Sequence, residues 1–135
     1  MDVFLRKDLW PCYISIFFGL FSLMGISATI TMHLVQDYGY DAHIAYYFFA
    51  VWSFGQTIGN CFASCMIPYI RPIIRVSFVV QVGALMLTGP TNVIPQMGDL
   101  DRETQLIIMG IGLLAMGLTS AAQQTLGNIE SVVRA

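Results

Sequence analysis

The charged residues of this 135-residue chain fall in short clusters, and the intervals between the clusters carry none. Residues 9–36 are 28 positions without Asp, Glu, Lys or Arg; residues 42–70 are 29, residues 76–98 are 23 and residues 104–129 are 26. An α-helix rises about 1.5 Å per residue, so roughly 20 residues cross a ~30 Å hydrocarbon core. Each interval is long enough. A charge at the bilayer centre costs at least ~2.5 kcal/mol on insertion scales, which drives charges to collect between spans. A soluble bundle would instead carry a polar stripe at helical period on every helix, and here no charge interrupts any interval. The pattern predicts an all-α fold: a polytopic membrane helical bundle of four transmembrane helices, forming one unit over residues 1–135, with the lipid bilayer as its surroundings.

Composition excludes several function classes. Charged residues make up 10% of the chain, against ~25% in soluble domains, and hydrophobic residues make up 56%. A net charge of −2 gives no footing for a nucleic-acid partner. The first apolar stretch is too long for a cleaved signal and no small-residue cleavage site closes it. Cys61 and Cys65 are one helical turn apart without His or carboxylate nearby, so the spacing predicts packed thiols and no metal site. No carboxylate pair, Ser/His/Asp set or phosphate-binding glycine loop is present, so no catalytic residue, enzyme activity or cofactor is expected.

The expected helices run over about 10–34, 42–69, 76–88 and 104–128. Trp10 and Tyr13 suit the membrane interface. Gly39 permits a tight reversal and Asp41 is a good N-cap for the second helix. Pro68 and Pro72 bracket a short connection, Tyr69 to Arg75. Residues 89–103 form the long loop, whose acids Asp99, Asp101 and Glu103 suit the N-terminus of the fourth helix. Arg6, Lys7, Arg71, Arg75 and Arg134 share one side, whereas Arg102 stands on the other among Asp37, Asp41, Asp99, Asp101 and Glu103. The positive-inside rule then places both termini in the cytosol.

Small and polar residues form stripes along these helices. Gly55, Gly59 and Ala63 repeat every fourth residue, the spacing of a close-approach helix-packing seam. Beside it run Ser53, Gln56, Thr57, Asn60 and Ser64. The first helix aligns Ser15, Gly19, Ser22, Gly25, Thr29 and His33, and the fourth aligns Met116, Ser120, Gln123, Gln124 and Gly127. Such stripes either hold helices together or line a solute path. The candidate path residues are Ser22, Thr29, Gln56, Asn60, Ser120, Gln123 and Gln124. The intervals contain no Asp or Glu, so no proton-coupling residue is expected. A path also requires the first and fourth helices to turn their polar faces toward helices this chain does not supply.

Three runs resemble a known family. Ala42 to Ala63, aromatic-rich at its start and carrying Gly55 and Gly59, looks like the eighth helix of a major facilitator superfamily transporter. Val80-Gln-Val-Gly-Ala-Leu-Met-Leu-Thr-Gly-Pro90 resembles the ninth helix with its outer end, and Gln105 to Ala122 resembles the tenth. The Leu-Thr-Gly-Pro ending is most similar to the vesicular amine and polyamine branch. The likeness covers about residues 8–132. It implies a partial major facilitator fold, about the seventh to tenth of twelve helices, and transport of a small organic solute by alternating access. A missing transporter half or partner membrane subunits would be needed, because four helices cannot enclose a path. The competing expectation is a non-transporting structural accessory subunit of a membrane complex.

Overall fold

Charge exclusion leaves four apolar segments, and each becomes a helix. The computed structural model describes residues 10–36, 38–88 and 100–134. Its elements are α1 (Trp10–Gln36), α2 (Ala42–Ala63), a 3-10 segment (Ser64–Tyr69), α3 (Ile70–Thr88) and α4 (Arg102–Arg134). There is no strand among the described residues. Arg6 and Lys7, Asp37 and most of the acidic loop, Asp99 included, lie outside them.

Three helical stretches are long and apolar enough to cross a membrane: Trp10–Gln36, Cys65–Thr88 and Arg102–Val133. By length and composition this is a membrane protein. The four-helix count holds, but α2 falls outside that set. It carries no Asp, Glu, Lys or Arg, yet Tyr46, Tyr47, Trp52 and the polar residues from Ser53 to Asn60 keep it from holding an unbroken stretch as apolar as those three. The outer surface fits a lipid setting, since Phe17, Met24, Val79 and Val132 point outward with exposures of 62–76%. Soluble monomers rarely present apolar surface on that scale.

Three helix boundaries differ by several residues from the expected ones: the fourth helix runs on to Arg134 rather than ending near 128, and proline chemistry explains the other two. The second helix ends at Ala63 rather than Tyr69, and the third begins at Ile70 rather than Val76. Pro68 has no amide to continue an α ladder, and the chain tightens to 3-10 through it. Pro72 falls in the first turn of α3, where an amide has no carbonyl to reach, so the helix tolerates it. At the other turn, Gly39 takes φ +64, a conformation other residues adopt with strain. Its amide and that of Tyr40 donate back to the carbonyls of Val35 and Leu34, both at 3.1 Å. The open end of α1 is thereby satisfied.

Helix α4 is the hub. It packs most extensively on α2, then on α3, then on α1, while α1 and α2 meet only lightly. The close approaches fix the directions. Gly55 faces Leu114, and Gly59 faces Leu118 and Ala121, so α2 and α4 run parallel. Gly19 faces Ser120 and Gln124, and Gly127 faces Cys12 and Ile16, so α1 runs antiparallel to α4. Ala84 and Thr88 of α3 meet Gly112, while Ile70 shares a cluster with Ala122 and Leu126, making α3 antiparallel as well. The directions alternate along the chain.

Between helices in lipid, packing rather than apolar burial supplies the attraction, so close contact matters most. The α2/α4 seam has it. A Cβ on Gly55 would stand 2.5 Å from the Leu114 carbonyl oxygen, and one on Gly59 would stand 2.7 Å from the Ala121 Cβ. An apolar cluster including Leu34, Trp52, Leu113 and Met116 fills one end of the bundle. Ala63, Ile70, Ala122 and Leu126 fill the other. At the first end Arg102 lies over the Tyr40 ring, 4.6 Å from its centroid, which neutralises the cost of a cation beside apolar helix ends. His33 packs edge-on against Tyr38 at 5.4 Å.

Asp101 caps α4. The Thr104 hydroxyl donates to its carboxylate at 2.6 Å and the Thr104 amide does so at 3.2 Å. These bonds, the hydroxyl first, hold the carboxyl below the usual carboxylate range. A depressed carboxyl stabilises the fold above its unfolded pKa of about 3.9, and the contribution is lost as pH falls through the lower folded value. Amide exchange at Thr104 and Gln105 should therefore accelerate as pH drops below about 4, after correction for intrinsic rates. Asp101→Asn should keep the cap and lose that pH dependence. Equal pH profiles for the two proteins would remove the carboxylate from the cap.

Candidate functional site

The polar side chains divide into two groups, one where α4 meets α1 and α3 and one along α2. The first group sits where α1, α3 and α4 meet. Ser15 and Gln123 are fully buried, Ser120 is 1% exposed and Gln81 is 3% exposed. Ser22 is also buried; its hydroxyl donates to the Phe18 carbonyl at 2.8 Å and accepts from the Gln81 amide nitrogen. The Ser120 hydroxyl donates to the Gly117 carbonyl at 3.0 Å. Gln124 rests against Gly19, where a Cβ would lie 3.2 Å from its Cγ.

Antiparallel packing explains why these residues share a level. Gly19 opposite Ser120 and Gln124 puts Ser15 and Ser22 one turn to either side. The Gln81–Ser22 bond then brings α3 to the same level. Ser22 and Gln81 lie near the middle of α1 and α3, while Gln123 and Gln124 stand between Ala122 and Leu126 of the second apolar cluster.

Hydrogen-bonding capacity at this junction exceeds the partners available. Ser15 Oγ, Gln81 Oε1, Gln124 Nε2 and both Gln123 side-chain atoms are buried without a hydrogen-bond partner. A buried polar group left unpaired costs about 1–3 kcal/mol. The two Gln123 atoms alone form a substantial local penalty in the C-terminal half of α4. The arrangement offers donors and acceptors but no ionised side chain, so its chemistry is uncharged hydrogen bonding.

The second group lies on α2. Asn60 is exposed and accepts from the Thr125 hydroxyl at 2.8 Å. Gln56 is half-buried, its backbone amide close to Gly117. Thr57 donates to its own helix at the Ser53 carbonyl, 2.9 Å away. Thr29, on α1, is exposed and donates to the Gly25 carbonyl at 2.7 Å. The structure therefore gathers Ser22, Ser120, Gln123 and Gln124 at one junction, and leaves Gln56, Asn60 and Thr29 away from it. The polar face of α4 is turned inward onto α1 and α3 of the same chain.

Gln81 and Ser15 were not among the candidate path residues, although they belong to the junction. Ser15 was visible in the α1 stripe. The signal for Gln81 was fainter, a lone amide in an apolar run, on one face with Ser77, Ala84 and Thr88. Cys12 is buried, and Cys61 and Cys65 are exposed on the bundle surface rather than packed. No group of His, Cys, Asp and Glu among the described residues could hold a metal. Comparison with protein-family models, curated proteins and solved structures finds no match for this chain.

Proposed function

We propose that this chain is part of a membrane transporter of the major facilitator type, moving a small organic solute by alternating access together with helices it does not itself supply. The observation that carries the reading is Gln123, wholly buried within the bundle with neither amide atom bonded. Polar groups held at such a cost inside membrane helices are retained where a function uses them. An alternating-access site forms between helix bundles near the midplane, and the Gln81–Ser22 bond lies near the middle of α1 and α3. The resemblance of three runs to the eighth, ninth and tenth helices supports the same assignment. In this reading the junction opens toward solute in one state and closes onto α1 and α3 in the other. The alternating directions of α1 to α4, with Arg71 and Arg75 at the turn between α2 and α3, support four crossings and cytosolic termini.

The accessory-subunit reading remains the alternative, and one observation favours it: α4 already encloses its polar face against the chain's own helices. Thiol labelling separates the two. In a background where Cys12, Cys61 and Cys65 are replaced, Gln123→Cys should react with a water-soluble thiol reagent in the assembled transporter, and solute should protect it. Asp41→Cys and Leu100→Cys should label from the non-cytosolic side and Arg75→Cys from the cytosol. An unreactive Gln123→Cys in the full assembly would support the accessory subunit. Labelling of Asp41→Cys and Leu100→Cys from opposite sides would end the four-crossing topology.

A further inference from the structure

Helix α2 has a face that the rest of the chain leaves uncovered. Gly55 and Gly59 seat the helix on α4, Phe62 and Met66 lie on its α3 side, and α1 meets it only lightly. The uncovered face carries Tyr46, Ala50, Ser53, Thr57 and Asn60, all exposed. Their spacing alternates between four and three residues, the repeat along which two helices wind about each other. Ala50, Ser53 and Thr57 are small, which lets a second backbone come close in lipid. Tyr47 and Phe54, exposed by 70% and 62%, border the same seam.

This face is poorly suited to acyl chains. Helix α2 stands outside the set long and apolar enough to cross a membrane, and the polar residues Ser53, Thr57 and Asn60 point outward. The Thr57 hydroxyl donates to the Ser53 carbonyl at 2.9 Å and is satisfied within its own helix. Asn60 is different. Its Oδ1 accepts from the Thr125 hydroxyl at 2.8 Å, while its Nδ2 has no acceptor among the described residues. Hydrocarbon offers an amide N–H no partner, so leaving it there is costly.

The chemistry of the seam selects a second copy of this chain. A carboxamide both donates and accepts, so it is complementary to itself. A single Asn at such a seam fixes the register and the two-stranded state of a parallel helix pair. No Asp, Glu, Lys or Arg lies among the seam residues, so two like faces do not repel. Copies inserted under one charge rule point the same way. Their α2 helices then run parallel, and each seam residue meets its equivalent, the isologous contact of a two-fold dimer.

We propose that this chain forms a two-fold dimer through α2, with Ala50, Ser53 and Thr57 each against its equivalent and the two Asn60 amides joined across the axis. The dimer requires only that α2 sits in a bilayer, so it stands under the transporter and accessory-subunit readings alike.

The test places the full chain in phosphatidylcholine liposomes, with Cys12, Cys61 and Cys65 replaced by alanine and single cysteines introduced for copper-catalysed oxidation. A disulfide requires Cα atoms within about 7 Å, so Ala50→Cys, Ser53→Cys and Thr57→Cys should each give a covalent dimer. Val51→Cys and Val79→Cys, exposed but off the seam, should not. Energy transfer between fluorescently labelled copies, titrated by lipid dilution, reads the affinity. Asn60→Val should weaken it about tenfold, the effect of one interhelical hydrogen bond. Ala50→Leu, at an exposed position that leaves the monomer's packing alone, should weaken it by blocking close approach. Helicity and elution profile confirm that each variant folds. Equal cross-linking at all five cysteine positions, as chance collision gives, overturns the proposal. So does a monomer at every lipid ratio, or a dimer that neither Asn60→Val nor Ala50→Leu weakens.

Discussion

Gly117→Ala should be among the most damaging methyl additions to this chain, because it opens the seam between α2 and α4. The new Cβ would stand 2.2 Å from the Trp52 carbonyl oxygen and 2.9 Å from the Gln56 backbone nitrogen. Both obstacles are main chain, so no rotamer change relieves them, and one helix must move outward as a body. Movement there also loosens Gly55 against Leu114 and Gly59 against Ala121, since all three lie along one seam. Overpacking costs about 1–3 kcal/mol where neighbours yield locally, and here the whole interface shifts, so the upper part of that range is expected. Gly59→Leu should act in the same direction. Gly83→Ala and Gly110→Ala are the controls, because a Cβ at either position meets nothing within 4 Å. Denaturation in detergent micelles, followed by helicity, should rank Gly117→Ala well below the unaltered chain and the controls near it. A Gly117→Ala protein as stable as the controls would mean that α2 and α4 are not in contact.

The second large effect has opposite signs for stability and for function. Gln123→Leu removes two buried polar atoms that have no partner and leaves a side chain of similar size. Replacing an unpaired buried polar group by an apolar one of the same shape recovers its desolvation penalty. The variant should therefore be more stable by about 1–3 kcal/mol. If the junction lines the solute path proposed above, the same change in the full assembly should abolish solute movement. Gln81→Leu should be milder in the isolated chain, since Gln81 already bonds Ser22 and loses that bond on substitution. If Gln123→Leu instead lowers stability, the amide is pairing helices together and the solute-path reading of the junction fails.

The helices were legible because charge exclusion is a strong rule and the chain obeys it over four intervals. The turn at Gly39 was legible for a similar reason: few residues fit a positive φ. The prolines were harder to place, because the same residue breaks a helix interior and suits a helix start. Pro68 acts in the first way and Pro72 lies in the first turn of the next helix. The site was legible only in part. A stripe on one helix shows that a face is special but does not name the helix it meets. Gln56 with Asn60 and Gln123 with Gln124 therefore read alike, yet Gln124 packs on α1 at Gly19 while Asn60 reaches α4 at Thr125. Gln81 makes no stripe of its own and acquires meaning only through Ser22, 59 positions away.

The hub position of α4 has a consequence for how the chain is made. A ribosome releases α1, α2 and α3 before α4 exists, and these three have few mutual contacts to settle into. Until then they are held near one another by the Gly39 turn and the 3-10 link rather than by packing. Main-chain bonds within each helix keep them intact meanwhile. Only when Arg102–Arg134 is inserted does a common partner arrive, and the three earlier helices can then close around it. Packing of these helices thus waits on the fourth of them, and a ribosome that stalls before it leaves α1, α2 and α3 without the helix on which all three pack.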